Sequence, residues 1–600
     1  MRPVSPGCGT GLGLMKWKGH GKISVSLCHN FGKILEKNFF FLYDKEVSKE
    51  EGESLMRELT PQLVHSLKHY SKESFTKDLI SGVIVAIIAL PLSIALALAS
   101  GVSPEQGLYT AIVAGFLISA LGGSKVQIAG PTAAFATIVA GIVARNGMDG
   151  LVVATVLAGI LLILMGVLRM GSMIKFIPYT ITTGFTAGIA VTIFIGQLKD
   201  FFGLTFTHAP VETMEKLGEV VHTFHTANWT AAGIGVLALA ILILWPMVFK
   251  KVPASLIAVI VTAGAVKLFA LPVNTIGDLY SISSALPQFA LPVVSYDVVA
   301  AVLPDAFTIA VLAAIESLLS AVVADEMIGS RHNSNMELVA QGVGNTASAL
   351  FGGIPATGAI ARTAANIKNG GNSPVAGMIH AVVLLLVLVL LMPYAALIPM
   401  PCIAAILFQV AYNMSGWRTL VKVVNHSPKS DVAVLVVTFL LTVIFDLVVA
   451  IAVGLSLACL LFMKRMADVA VVKEWDYVED TGDDQGRLKP VPPYVMVFEV
   501  TGPMFFGAAD KIPHIERSTG RHVLILRMRS VPAMDITALN SLRRLYGECK
   551  DKGIRVVFSH VNEQPMSVFK KSGLYDLVGE DSFAPNIDAA LERAAELEKV

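Results

Sequence analysis

Between residues 76 and 466 the chain is a succession of apolar runs, many close to the roughly 20 residues an α-helix needs to cross a bilayer. In lipid every backbone N–H and C=O must be satisfied internally, which leaves helices as the elements such runs can form. Composition agrees. Only 15% of the 600 residues are charged, where a soluble domain carries roughly 25%, and the mean hydropathy is +0.67. The pattern predicts a polytopic α-helical membrane protein.

Full spans are predicted near 79–99, 104–121, 150–170, 173–198, 229–249 and 254–271, and again near 302–325, 335–351, 373–392, 394–412, 430–446 and 447–464. Two segments, about 131–144 and 356–368, are too short to cross and count as half-crossing pieces, giving 14 transmembrane elements. Charge placement supports that number. With the N-terminus cytoplasmic and sides alternating, the inner side collects Lys68, Lys72, Lys77, Arg169, Lys175, Lys250, Lys251, Arg331, Lys368, Arg418, Lys422, Lys429, Lys464 and Arg465. The outer side collects only Arg145, Lys199, Lys216 and Lys267, the bias expected of inner loops. Dropping either short segment breaks it. Seven elements precede residue 275 and seven follow residue 300, so the second half is inverted relative to the first, the inverted-repeat plan of many transporters. Ala120-Leu121-Gly122-Gly123 and Ala349-Leu350-Phe351-Gly352-Gly353, each ahead of a short segment, are a weak echo of that repeat.

The domain reading is therefore an N-terminal cytoplasmic extension, partly disordered, over 1–75, a first membrane repeat over 76–275 and a second over 276–466. The acidic stretch 467–490, with Asp476, Glu479, Asp480, Asp483 and Asp484, reads as a linker, and 491–600 as a small cytoplasmic α/β domain. In that domain Tyr494–Val500, His522–Met528 and Ile554–Ser559 are predicted strands, and Ile536–Cys549, Gln564–Ser572 and Ile587–Glu598 helices. Both termini are expected in the cytoplasm, in a bacterial inner membrane. No cleavable signal peptide is apparent, since Phe39–Tyr43 is too short, and Met15 and Met56 are alternative starts that N-terminal sequencing would separate.

Several function classes drop out. The net charge of +1 gives no global attraction for nucleic acid. The cysteines Cys8, Cys28, Cys402, Cys459 and Cys549 are scattered, with no CxxC pair or zinc-like spacing, so neither a disulfide framework nor a structural metal is implied. No nucleophile–base set or phosphate loop appears, so neither an enzyme nor a bound cofactor is expected.

The short segments carry the chemistry. Gly130-Pro131-Thr132-Ala133-Ala134-Phe135 opens the first, and Gly353-Ile354-Pro355-Ala356-Thr357-Gly358-Ala359-Ile360-Ala361-Arg362 the second. The alternation of sides puts both helix starts near the midplane, where they would face each other. Each N-terminus carries roughly +0.5 charge and unbonded N–H groups, so the pair forms an anion site made of backbone. The alternative is that both are ordinary kinks in full-length spans. Arg362 is expected about two turns into the second short helix, as a further positive charge at that site, a structural ion pair or a snorkelling anchor. Glu316, near the middle of the span 303–325, carries a proton, ligates sodium or pairs with Arg362. Ser334-Asn335-Met336-Glu337 matches a capping box and reads as structural. Asp535-Ile536-Thr537-Ala538, between a strand and a helix, is a regulatory phosphorylation point at Thr537 or simply a helix cap.

Five groups of residues together resemble the sulfate-permease (SulP) anion transporters, over about residues 75–590. They are Leu90-Pro91 with Ser93-Ile94-Ala95; Gly107-Leu108-Tyr109; Gly130-Pro131-Thr132; Asn333-Ser334-Asn335-Met336-Glu337-Leu338; and Gly358-Ala359-Ile360-Ala361-Arg362-Thr363. The C-terminal part resembles a STAS domain. The resemblance implies core and gate domains built from two inverted seven-helix repeats, and commonly a homodimer with an elevator-like motion of core against gate. It implies a substrate site between Thr132 and Ala133 on one side and Ala361 and Arg362 on the other, with Leu96 of the first helix opposite. Leu96 stands where eukaryotic relatives often have an aromatic residue. Asp535 to Ala538 resembles the switch motif of STAS regulators, with Thr537 at the phosphorylatable place, Ala538 for the usual Gly, and a cytoplasmic protein as partner. The implied substrates are sulfate, bicarbonate, chloride or dicarboxylates; the first hypothesis is secondary active transport of such an anion, coupled to protons or sodium through Glu316. Two other functions compete: a nucleobase permease, which uses the same fold but is disfavoured by Arg362 and the STAS-like tail, and a membrane-anchored regulatory module, which predicts no flux.

Overall fold

The computed structural model describes residues 59–599 except 69, 209, 211, 250, 251, 293, 446, 476, 480–487 and 513–519. The extension up to residue 58, the starts at Met15 and Met56, and Cys8, Cys28, Lys250, Lys251, Asp476, Asp480, Asp483 and Asp484 therefore lie outside the described residues.

The first half begins with α1 (Lys72–Ala99), opened by Ser71, whose hydroxyl accepts the Ser74 N–H at 3.1 Å. A capping box between Ser103 and Gln106, with Pro104 in the first turn, starts α2 (Pro104–Leu121). A two-residue strand, β1 (Ala129–Gly130), precedes α3 (Ala133–Val167). Gly147, at φ +69°, breaks α3 into pieces 133–146 and 148–167, a conformation glycine adopts without a Cβ penalty. Then follow α4 (Tyr179–Phe202), α5 (Trp229–Val248) and α6 (Ala254–Phe269).

The second half repeats the plan with α7 (Tyr296–Ile328), α8 (Ser334–Leu350), β2 (Thr357–Gly358), α9 (Ile360–Lys368), α10 (Val375–Ala395), α11 (Met400–Ser415), the short amphipathic α12 (Trp417–His426), α13 (Lys429–Ile444) and α14 (Leu447–Val469). Counting α3 as two pieces and leaving out α12, the described residues hold fourteen membrane elements, seven in each half. Two spans start later than predicted. Met170–Phe176 is a 3₁₀ turn and Pro178 precedes α4; likewise α10 runs on to Ala395 and Pro399 precedes α11.

The helices sort into two groups. In the core group, α3 packs on α7 and α8, while α2 packs on α8 and α10, and α1 on α2, α9 and α10. The gate group is built on α4, which packs on α11 and α13, with α5 against α6 and α11, and α13 against α14. Glycine allows a close crossing in the core: a Cβ on Gly342 of α8 would stand 2.5 Å from the Gly159 carbonyl oxygen of α3. Apolar side chains such as Leu244, Met247, Leu386 and Leu390 point outward, as suits hydrocarbon surroundings. The halves join at the centre of the core, where β1 pairs antiparallel with β2, Ala129 opposite Gly358 and Gly130 opposite Thr357.

Beyond α14 lies the α/β domain. Its sheet has the order β3 (Val471–Glu474), β4 (Val495–Thr501), β5 (Val523–Ser530), β6 (Arg555–Ser559), β7 (Phe583–Ala584), antiparallel between β3 and β4 and parallel thereafter. Helices α15 (Ile536–Asp551), α16 (Glu563–Lys571) and α17 (Ile587–Glu598) accompany it. Leu524 and Leu526 face Leu539 and Leu542 on one side of the sheet, and Val495 and Ile525 face Ile587 and Ala590 on the other. The stretch read as a linker contributes structure: Val471–Glu474 is the edge strand, and Tyr477–Glu479 pairs with Leu488–Pro490. Acidic composition concealed the β-branched pair Val471-Val472. At the junction, Lys511 Nζ donates to the carbonyls of Ala467 (2.7 Å) and Ala470 (2.8 Å), where the backbone leaves α14.

Candidate anion site

Both short helices start where the β1–β2 pair ends. Thr132 and Ala359 are the extended residues ahead of α3 and α9. A threonine in that place ordinarily caps its own helix. Here no side chain among the described residues caps either N-terminus, and the Thr132 hydroxyl donates instead to Glu316 Oε2 at 3.1 Å. The first N–H groups of both helices are left open toward the space between them, each end with its partial positive charge.

Arg362 stands in the first turn of α9, not two turns in as the sequence suggested. Thr357 and Gly358 pair as β2, which delays the helix start to Ile360. The side chain is buried, 2% exposed. Its Nη2 donates to the Pro131 carbonyl at 2.9 Å, while Nε and Nη1 have no partner among the described residues. The guanidinium fits because Gly130 lacks a side chain: a Cβ there would stand 2.4 Å from Nη1. Glu316 and Arg362 form no ion pair among the described residues; Glu316 is bonded by Thr132 and Arg362 by Pro131.

A cavity of about 410 Å³ lies between these groups. Leu96, Thr132, Ala133, Glu316, Ala361 and Arg362, the membrane residues singled out from the sequence, all line it. Its far wall is Phe185 and Thr186 of α4 with Val410, Asn413 and Met414 of α11, so the cavity sits between core and gate. Sequence reasoning missed that wall, because these residues lie in ordinary amphipathic or apolar runs with no punctuation. Thr537 is elsewhere, exposed in the first turn of α15. Asp535 caps that helix, accepting the Ala538 N–H and the Phe506 N–H, each at 2.9 Å.

The capping box expected at Ser334–Glu337 is absent. Asn333 is the cap, its side chain accepting the Met336 N–H at 3.1 Å. Glu337 turns inward, 1% exposed. Its carboxylate accepts from the Gly123 N–H (3.0 Å), Gln127 (2.8 Å), Ser317 (2.9 Å) and Gln341 (3.0 Å). The carboxylate thus ties α7, α8 and the approach to β1 together behind the site.

Comparison with known proteins agrees with this arrangement. The profile of the Sulfate permease family matches residues 75–438, and that of the STAS domain residues 488–590. The chain is 41% identical over 529 residues to YvdB of Bacillus subtilis (strain 168), a protein named provisionally as a sulfate transporter, covering 87% of this chain and 98% of YvdB. It is 31% identical over 538 residues to the bicarbonate transporter BicA of Picosynechococcus sp., covering 86% of this chain and 94% of BicA. The fold matches the murine Slc26a9 anion transporter in its inward-facing state, with a TM-score of 0.82 at 18% identity, over 97% of this chain and all of that one. The chain belongs to the sulfate permease family and ends in a STAS domain.

Proposed function

We propose that the protein is a secondary active transporter of a small anion, sulfate in the first place, coupled to protons or sodium and working by alternating access. One observation carries the reading: two uncapped helix N-termini and a buried guanidinium with two open nitrogens share a cavity with one carboxylate. The helix ends contribute about +1 between them and Arg362 another +1. An ionised Glu316 subtracts one. A proton or sodium ion on Glu316 brings the lining back to about +2, the match for a sulfate dianion. Coupling then follows from charge balance, because the anion and the cation each make the other cheaper to hold. Left ionised, Glu316 leaves about +1, which suits bicarbonate. That is the second reading, favoured by the likeness to BicA.

Leu96, Ala133 and Ala361 would shape the cavity, with Thr132 holding the Glu316 carboxylate. The protein would act as a homodimer in a bacterial inner membrane, with both termini cytoplasmic. Thr537 would be the point at which a cytoplasmic partner reads or modifies the STAS domain. Bacterial relatives support the bacterial membrane, and the exposure of Thr537 supports its role.

The test is uptake of labelled sulfate into proteoliposomes with and without inward proton or sodium gradients, competed by bicarbonate, chloride, fumarate and succinate. Gradient-driven sulfate uptake is expected. Bicarbonate flux without sulfate flux would replace the substrate and keep the site; no flux of any anion from folded protein would overturn the reading.

A further inference from the structure

His380 of α10 is fully buried in the core domain, and neither ring nitrogen has a hydrogen-bond partner among the described residues. It does not line the anion cavity. Its surroundings are nevertheless polar. One turn earlier on α10, a Cβ on Gly377 would stand 2.2 Å from the Ser119 hydroxyl of α2 and 3.3 Å from the Ile128 side chain. That hydroxyl is buried and unpartnered as well. Two residues beyond Ile128, on the same face of the extended backbone, is Gly130, where a Cβ would stand 2.4 Å from Arg362 Nη1 and 3.7 Å from Ala111 Cα of the same α2.

Five buried polar atoms in this part of the core lack a partner among the described residues: Arg362 Nε and Nη1, both His380 nitrogens and Ser119 Oγ. Buried polar groups are seldom left so. Where protein supplies no partner, ordered water does, given a polar site with several groups to bind it. The chemistry here is complementary. Arg362 offers only donors, neutral imidazole offers one donor and one acceptor, and a hydroxyl offers both.

We propose that ordered water links Arg362 and His380, and that His380 is a positioning residue for the anion site. A water accepts from Arg362 Nη1 and donates to the unprotonated His380 nitrogen, while the other ring nitrogen donates toward Ser119 or a second water. The guanidinium is then held by His380 through water and by Pro131 directly, which fixes its orientation at the cavity. This rests on the reading of Arg362 as an anion ligand, and deepens it.

The test compares wild type, His380→Leu, His380→Gln and Arg362→Ala, each full length, for uptake of labelled sulfate and bicarbonate. For the anion whose uptake depends on Arg362, His380→Leu raises KM about tenfold with kcat nearly unchanged, the pattern of lost binding. His380→Gln, which keeps a donor and an acceptor, recovers most of that loss. A wild-type KM in His380→Leu overturns the positioning role while Arg362→Ala still fails. Wild-type uptake in Arg362→Ala instead removes the site reading itself. Melting temperature gives a readout independent of substrate. His380→Leu melts lower if a water network is lost; a higher melting temperature, as for replacing a dry, unpaired imidazole, overturns the proposal. A high-resolution experimental map with both His380 nitrogens bonded directly to protein, and no water toward Arg362, does the same.

Discussion

Arg362 is sealed from solvent, yet protein supplies it one hydrogen bond among the described residues, to the Pro131 carbonyl. Guanidinium groups buried for structural reasons are normally paired with carboxylates, and the carboxylate within reach of this cavity is bonded elsewhere. The separation of Glu316 from Arg362 is what lets the two act on different ions. Glu316→Gln keeps an acceptor for Thr132 but removes the charge, so we expect uptake that no longer responds to a proton or sodium gradient while downhill flux persists. Retained gradient dependence in that variant would assign coupling to another group. Gly130 gives a second residue-scale check. Alanine there places a Cβ 2.4 Å from Arg362 Nη1, so the guanidinium must move. Gly130→Ala should weaken anion affinity roughly tenfold or more, about 1.4 kcal/mol, measured as KM in uptake.

At the scale of elements, two helices that start in the middle of the protein need their preceding backbone satisfied, and the β1–β2 pair with its buried supports does this. Asn345 bonds both the N–H and the C=O of Ala356, each at 2.8 Å, and Thr363 accepts the Ile128 N–H at 3.0 Å. Glu337 holds four donors on three separate segments. Glu337→Leu strands all of them, and a loss of about 3 kcal/mol or more is expected, read as a lower melting temperature in detergent. A melting temperature equal to wild type would show the network to be dispensable. The half-helices themselves were legible because Gly130-Pro131 and Gly353-Ile354-Pro355 punctuate apolar runs too short to cross, and charge parity fixed their number. Glu337 was misread because a capping box and an inward-turned carboxylate share the same local spacing; only the tertiary partners 127, 317 and 123 separate them. The strand Val471–Glu474 was missed for a related reason, since pairing with β4 decides it and its neighbours in sequence are acidic.

At the scale of the whole molecule, the core and gate groups meet at the anion cavity, and the α/β domain attaches to the gate through α14. Asp535 caps α15 and also holds the Phe506 N–H, and the turn that starts at Phe506 carries Lys511 onto the carbonyls at the end of α14. A cation there complements the partial negative charge of a helix C-terminus. Lys511→Ala should therefore leave the membrane helices folded but loosen the junction, seen as faster proteolysis near residues 467–471 with the melting of the membrane part unchanged. An unchanged cleavage rate would mean that the β3–β4 pairing holds the domain alone. Which groups of helices form core and gate was not legible from apolar runs, because all faces of such helices are apolar and only packing sorts them. The inverted plan was legible, because an odd number of elements in each half follows from counting.

The central claim is that the anion is held between the two helix N-termini by Arg362. The direct measurement is labelled sulfate uptake, with bicarbonate in parallel, by wild type and Arg362→Ala reconstituted at equal, folded amounts. A unit-charge contact at 4 Å is worth roughly 4 kcal/mol at an effective dielectric of 20, before desolvation. The expected result is saturable uptake by wild type and, in the variant, an affinity at least about 30-fold weaker with the fold intact. Wild-type affinity in Arg362→Ala would contradict the account.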